Sequence, residues 1–170
     1  NKYSMFIHFG LYSVYGGVYN DKPVTFGYSE QIQSFAGIFS DWYGDTALEF
    51  DPVKFNADEI VALAKEAGMR SIVITTKHHD GFCLFDTTYT DFKSTNTAAG
   101  RDFVREFVDA CREFGIRTGL YFSVIDWRHP DFPHYGDAHH PMRSDPAYSN
   151  ENRDFDRYLE FMHGQVREIC

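Results

Sequence analysis

The chain has no cluster of lysine and arginine. Its 16 Lys and Arg stand against 25 Asp and Glu, a formal net charge of −9. A surface that tracks phosphates needs a basic stripe, so this argues against a nucleic-acid partner. Cysteine is scarce and odd in number: Cys83, Cys111 and Cys170, widely spaced. This spacing gives neither a disulfide framework nor a C-x-x-C metal motif. Each cysteine is expected to act as a small buried hydrophobe. No apolar run approaches the roughly 20 residues of a membrane helix. The chain opens at Asn1 and runs straight into Met5-Phe6-Ile7, with no leader and no initiator Met. It is therefore expected to be a processed or truncated piece. No G-x-G-x-x-G follows any apolar run, so the dinucleotide-binding fingerprint is missing.

Aromatic side chains are abundant, at 18% of the chain with 17 Phe and 11 Tyr. Most will pack cores. Their faces also suit the C–H faces of sugar rings, and only position separates the two uses. With 43% hydrophobic residues, 170 positions can bury one sizeable core.

Local patterns give the elements. Met5 to His8 is a short apolar run before Gly10 and reads as a buried strand. Gly10 to Asp51 is rich in Gly, Ser, Tyr and Asp and reads as a long, functional loop with short helices. Asn56, followed by Glu59, marks a helix start, with Gly68 as its stop. Ile60, Val61, Leu63, Ala64 and Ala67 are expected to line one side. The β-branched run Ser71 to Thr76 suits a parallel strand buried on both faces. Phe103, Val104, Phe107, Val108, Cys111 and Phe114 recur at helical spacing up to Gly115. Ile116 to Phe122 is the next strand. A His-, Pro- and Asp-rich loop over 126–150 then leads to a helix carrying Phe155, Tyr158, Leu159, Phe161, Met162, Val166 and Ile169.

Strand, loop and helix repeat three times, which implies a parallel sheet with right-handed crossovers. A (β/α)8 barrel and an open doubly wound sheet both begin this way. The missing dinucleotide fingerprint, and strand ends that run into long polar loops, favour the barrel. A complete barrel takes about 250 residues. Residues 1–170 thus read as the first three β/α units of a TIM barrel, ending at Arg167-Glu168-Ile169-Cys170 before strand four.

The strand ends carry the chemistry. His8-Phe9-Gly10, Lys77-His78-His79-Asp80-Gly81-Phe82, and Tyr121-Phe122-Ser123 leading to Asp126-Trp127 point to one face. The first loop adds Tyr28-Ser29-Glu30-Gln31. Three histidines suggest a metal, but zinc needs three or four converging ligands. Adjacent strand residues point to opposite sides, so His78 and His79 are poorly placed to chelate one ion. Polyhydroxyl recognition suits them better, because a neutral imidazole offers one donor and one acceptor. Glu30 has no helical salt-bridge partner in the sequence and reads as either a ligand-binding or a solvated loop acid. Asp80 reads as orienting its neighbours or capping the following turn. Asp126 stays open between such a role and a site role.

The runs quoted above converge on one resemblance. Met5 to Ser13, Thr76 to Thr87, Phe50-Asp51-Pro52 with Phe55-Asn56-Ala57, Gly100-Arg101-Asp102 and Gly119 to Ser123 occur in the order and spacing of the α-L-fucosidases of glycoside hydrolase family 29. The chain is similar to the N-terminal part of that catalytic domain. The resemblance implies a (β/α)8 barrel, usually followed by a β-sandwich. It also implies retaining hydrolysis of terminal α-L-fucosides on glycans or glycoconjugates. His8, His78, His79, Tyr121 and Glu30 fall on its substrate-binding positions. Its nucleophilic Asp ends strand four, expected beyond Cys170, with the acid/base residue further downstream, so no catalytic carboxylate is expected in this chain. No cofactor or metal is implied. The partner would be a fucosylated glycan, and the compartment secreted, periplasmic or lysosomal rather than cytoplasmic. Phe9, Gln31 and Phe122 depart from the family's usual aromatic residues. Two alternatives stand beside this reading: another sugar-acting or metal-dependent barrel hydrolase, and a non-catalytic sugar-binding barrel.

Overall fold

The architecture comes from a computed structural model that describes residues 3–133, 137–149 and 151–170. In chain order the elements are β1 (Met5–Ile7), α1 (Tyr12–Tyr15), β2 (Val18–Tyr19), β3 (Lys22–Pro23), α2 (Ile32–Phe35), α3 (Ser40–Asp45), α4 (Ala57–Glu66), β4 (Ser71–Lys77), α5 (Phe103–Phe114), β5 (Arg117–Phe122) and α6 (Phe155–Ile169). Short 3-10 turns at Ser29–Gln31, Thr46–Glu49, Ser94–Asn96 and Pro146–Tyr148 lie between them. The chain is α/β. β4 lies between β1 and β5 in a three-stranded sheet, parallel to both.

The alternation of the strands sorts their side chains. Met5, Ile7, Ile72 and Ile74 point toward α4 and α5, where they pack with Val61, Ala64, Phe107, Ala110 and Cys111. Full burial of an aliphatic side chain of this size contributes about 1.5–3 kcal/mol. The opposite, inner face carries Phe6, Val73, Gly119 and Tyr121, as the register pairs Phe6 with Val73 and Val73 with Gly119. A Cβ at Gly119 would meet Val73 Cγ2 at 2.8 Å, so glycine is what lets Val73 lie flat against β5. The inner face is partly open: Phe6 is 49% exposed. β1 is therefore not the fully buried strand its sequence suggests, because β4 is its one sheet neighbour among the described residues.

The helix ends follow their cap chemistry. Asn56 Oδ1 accepts from the Glu59 N–H, and the Asn56 amide donates back to Glu59 Oε1 at 3.0 Å. Asp102 and Asp154 cap α5 and α6 in the same way through the N–H groups of Arg105 and Arg157. Such caps contribute about 1 kcal/mol each. On α4 the buried face is Ala57, Val61 and Ala64. Leu63 (61% exposed) and Ala67 lie outside it, a correction to the wider stripe read from spacing. The long first loop contains a small hairpin, β2–β3, that composition does not reveal. Asn20 and Asp21 turn it with positive φ values of 50° and 59°, the type I′ geometry that matches strand twist. Cys83 and Cys111 are buried as expected, whereas Cys170 is exposed. Part of the expected loop over 126–150 lies outside the described residues.

One irregularity sets up the strand end. Thr75 pairs with Tyr121 but Lys77 pairs with Phe122, so β4 carries one extra residue there. A bulge of this kind reverses the side-chain alternation beyond it. Lys77 consequently turns to the helix side and His78 to the inner side.

Candidate functional site

The inner side of the strand ends gathers rings. The His78 ring lies 4.2 Å from His79, 5.5 Å from Tyr12 and 5.7 Å from both His8 and Tyr121, centroid to centroid. His8 in turn stacks on Phe6 at 4.5 Å and lies 6.0 Å from Tyr121. Four of the five residues singled out in the sequence are thus together. The assumption that His78 and His79 point apart does not hold. The strand stops at Lys77, so the alternation rule no longer governs the pair.

Glu30 is half-buried in the turn Ser29–Gln31, and its charge reaches the same place. Burial, above all, pushes up the phenol pKa values of Tyr12 and Tyr121, and the nearby Glu30 carboxylate raises both further. Burial lowers the pKa of His79 most strongly, against the opposing pull of Asp137 and Glu30. Glu30 therefore shares the field of the ring cluster without a hydrogen bond to it.

His78 is 4% exposed, and its Nδ1 is buried with no hydrogen-bond partner. Burial, then the neighbouring His79 and His8, hold its pKa down at about 3. The imidazole is neutral across the physiological range and offers one donor and one acceptor. His79 is held from behind, with Nδ1 2.6 Å from Ser123 Oγ and its carbonyl accepting from the Trp127 N–H at 2.7 Å. The Trp127 ring stands edge-on to it at 5.2 Å. Tyr12 reaches Thr75 Oγ1, which donates to the Phe9 carbonyl at 2.7 Å and ties β1 to β4 beneath the cluster.

The other residues weighed from the sequence lie elsewhere. Asp80 accepts from the Tyr43 hydroxyl at 2.7 Å and from the Phe82 N–H at 3.1 Å, so it orders the turn, as its place before Gly81 suggests. Burial raises its pKa to about 6. Asp126 is on the helix side, paired with Lys77 Nζ at 2.9 Å; both side chains are almost wholly buried. Lys77 also donates to Gln165 Oε1 at 3.2 Å and lies over the Phe122 and Phe161 rings. Asp126 Oδ1 accepts from the N–H groups of Arg128 and His129. A Cβ at Gly81 would meet that same oxygen at 2.5 Å, and Gly81 has φ +81°, which explains the glycine after Asp80. Phe9 packs with Phe50, Phe55 and Phe103 in the core, and Phe122 covers Lys77, so these two of the three departures from the family pattern do not face the rings.

Sequence reasoning missed Tyr12, Thr75 and the Ser123 contact. The spacing of two from Tyr121 to Ser123 was the available signal, since it puts both on one face. Among the described residues no group of three or more His, Cys, Asp or Glu side chains is placed to hold a metal ion. None of their helices is long and apolar enough to cross a membrane.

The neutral imidazoles of His78 and His79 and the phenol of Tyr121 at the ends of adjacent parallel strands, with the Glu30 carboxylate beside them from the first loop, make this an α/β protein whose ring cluster has the chemistry to meet an uncharged, polyhydroxylated ligand. A family model described as alpha-L-fucosidase matches residues 1–170. The human plasma alpha-L-fucosidase is 30% identical over 141 residues, covering 77% of this chain and 30% of the relative. Among solved structures, alpha-L-fucosidase isoenzyme 1 from Paenibacillus thiaminolyticus is 46% identical with a TM-score of 0.87, over 98% of this chain and 37% of that one. A glycoside hydrolase family 29 fucosidase from Bacteroides thetaiotaomicron, trapped as a covalent intermediate with 2-fluoro-fucosyl fluoride, is 35% identical with a TM-score of 0.83, over 98% and 36% of the two chains. The chain belongs to the α-L-fucosidase family. It spans about a third or less of the length of the curated relatives it matches.

Proposed function

We propose that this chain is the N-terminal, sugar-binding part of a (β/α)8 α-L-fucosidase that removes terminal fucose from glycans with retention of configuration. The observation that carries the reading is the convergence of His8, His78, His79 and Tyr121 at the ends of three adjacent parallel strands, with the Glu30 charge beside them. The partly open inner face, where Phe6 is 49% exposed, supports a barrel completed by residues beyond Cys170. The covalent fucosyl intermediate trapped in the Bacteroides relative supports retention.

In this reading His8, His78, His79, Tyr121 and Glu30 hold the sugar hydroxyls and set the anomeric carbon against a nucleophile supplied by a fourth strand. A retaining pair of carboxyl groups stands about 5–5.5 Å apart across that carbon. Glu30 accepts hydroxyl hydrogen bonds and is not the nucleophile, because it sits in a loop turn rather than at a strand end. Residues 1–170 alone leave the catalytic pair incomplete and have no turnover. The relative named as a plasma enzyme supports a compartment outside the cytoplasm.

The test is hydrolysis of an aryl α-L-fucoside by the protein of full family length, with the anomer of the first product read by proton NMR. α-L-Fucose as the first product is expected. The β anomer would overturn retention. Fucose binding without turnover would favour a non-catalytic sugar-binding barrel. Turnover by residues 1–170 alone would overturn the division of the site.

A further inference from the structure

Ser123 Oγ has three polar neighbours. It lies 2.8 Å from the Ile125 carbonyl oxygen, 3.0 Å from the Ile125 N–H and 2.6 Å from His79 Nδ1. A hydroxyl has one proton. A carbonyl oxygen has none and can only accept, so the 2.8 Å contact to Ile125 is a hydrogen bond when the Ser123 proton lies between those two oxygens. The Ile125 N–H supplies its own proton. In that arrangement the contact to His79 is filled by a proton on the imidazole. Burial favours the neutral ring, and a neutral ring has one N–H, so the proton on Nδ1 leaves Nε2 with a lone pair. No hydrogen bond among the described residues uses Nε2, and it is not one of the buried unpartnered atoms, so it is accessible.

We propose that Ser123 is a positioning residue that locks His79 as the Nδ1–H tautomer, so that Nε2 accepts a hydrogen bond from a hydroxyl of the bound sugar. The inference rests on the reading of His79 as a sugar-binding residue. Ser123 is 3% exposed and follows β5 directly, one alternation beyond Tyr121, with its N–H donating to the Lys77 carbonyl at 3.0 Å. The same segment anchors His79 a second time through the Trp127 N–H. The turn from Ser123 to Trp127 thus sets both the proton and the orientation of a ring 44 residues earlier in the chain. A neutral ring held this way selects for a ligand group that can donate, a hydroxyl rather than an ether oxygen or a carboxylate.

The experiment is a long-range proton–nitrogen NMR spectrum of the histidine rings in the full-length protein, without ligand, at neutral pH. His79 is expected to show a protonated Nδ1 and a pyridine-like Nε2. Ser123→Ala should shift the ring toward the other tautomer and raise KM for an aryl fucoside about tenfold. Ser123→Thr, which keeps the hydroxyl, should restore both. A wild-type Nε2–H tautomer would overturn the proposal, as would a Ser123→Ala variant with unchanged ring signals and KM. If the wild-type protein neither binds L-fucose nor turns over the fucoside, the sugar-site reading fails, while the ring signals still decide whether Ser123 sets the tautomer.

Discussion

Lys77 and His78 are neighbours in the chain, both nearly or wholly buried, and the fold treats them in opposite ways. The Lys77 ammonium meets a carboxylate, an amide oxygen and two aromatic faces. The His78 imidazole, one residue on, keeps a buried nitrogen with no partner. The bulge between Thr75 and Lys77 decides which goes where, sending Lys77 to the helix side and His78 to the inner side. A buried cation without its counter-charge is too costly to keep, so the helix side is completed by the protein's own groups. An unpartnered polar atom costs less, so the inner side can keep one. The two sides of one strand end thus differ in how completely their polar groups are paired.

The contrast can be broken by measurement, all on the full-length protein. Lys77→Met should cost most, about 3–5 kcal/mol of unfolding free energy, because it strands Asp126 as a buried unpaired charge. Urea unfolding of Lys77→Met against Lys77→Met/Asp126→Asn checks this, since removing the second charge should recover much of the loss. A small loss in the single variant would show that the pair is not buried in solution.

The pH dependence of stability should differ between the two sides of the turn. His78 is depressed to about 3, below its unfolded value near 6.5, so its contribution is full above pH 6.5 and is lost as pH falls toward 3. At pH 4.5 the loss from this group is about 2.5 kcal/mol. His78→Gln should flatten the acid limb of a stability–pH curve by that amount. Asp80, raised to about 6 from 3.8, acts with the opposite sign: stability rises as pH falls from about 6 toward 3.8. Asp80→Asn should therefore steepen the same limb. Identical curves for the two variants would remove the assigned burial of both groups.

A smaller effect separates ligand contacts from loop contacts. His79→Ala should lower kcat/KM by about 1–3 kcal/mol in transition-state terms, while Asp86→Ala leaves it near wild type. Asp86 is exposed, and its partners Lys93 and Thr95 lie away from the rings. Equal kinetics for the two variants would take His79 out of the site. Smallest of all, Asn56→Ala should cost about 1 kcal/mol of stability through its helix cap, with kcat/KM unchanged. A kinetic effect there would mean that the helix face and the inner face are coupled.

Much of this molecule is legible from local sequence because local physics decides it. Asn56 with Glu59, the β-branched run from Ser71, and Phe103 to Phe114 before Gly115 each carry their own start, period or stop, and the elements fall where those signals put them. The strand-end histidines and Tyr121 were legible for a related reason, since parallel strands deliver their ends to one face. What escaped depends on pairs that are distant in sequence. Asp126 finds Lys77 across 49 residues and Ser123 finds His79 across 44, and neither distance leaves a periodic mark. The bulge escaped too, because it is a property of the pairing between β4 and β5 and of neither strand alone.

The Lys77 contacts also bear on how the chain acquires its fold during synthesis. Asp126 follows Lys77 by 49 residues and Gln165 follows it by 88. At roughly 5–20 residues per second, a ribosome delivers the counter-charge several seconds after the cation. Until then the end of β4 holds an ammonium that water serves better than the nascent interior does. β1, α4 and β4 can associate in that interval, but the strand end stays solvated and the ring cluster stays unformed. By this reasoning the strand end and its ring cluster would be the last parts of the sheet to form.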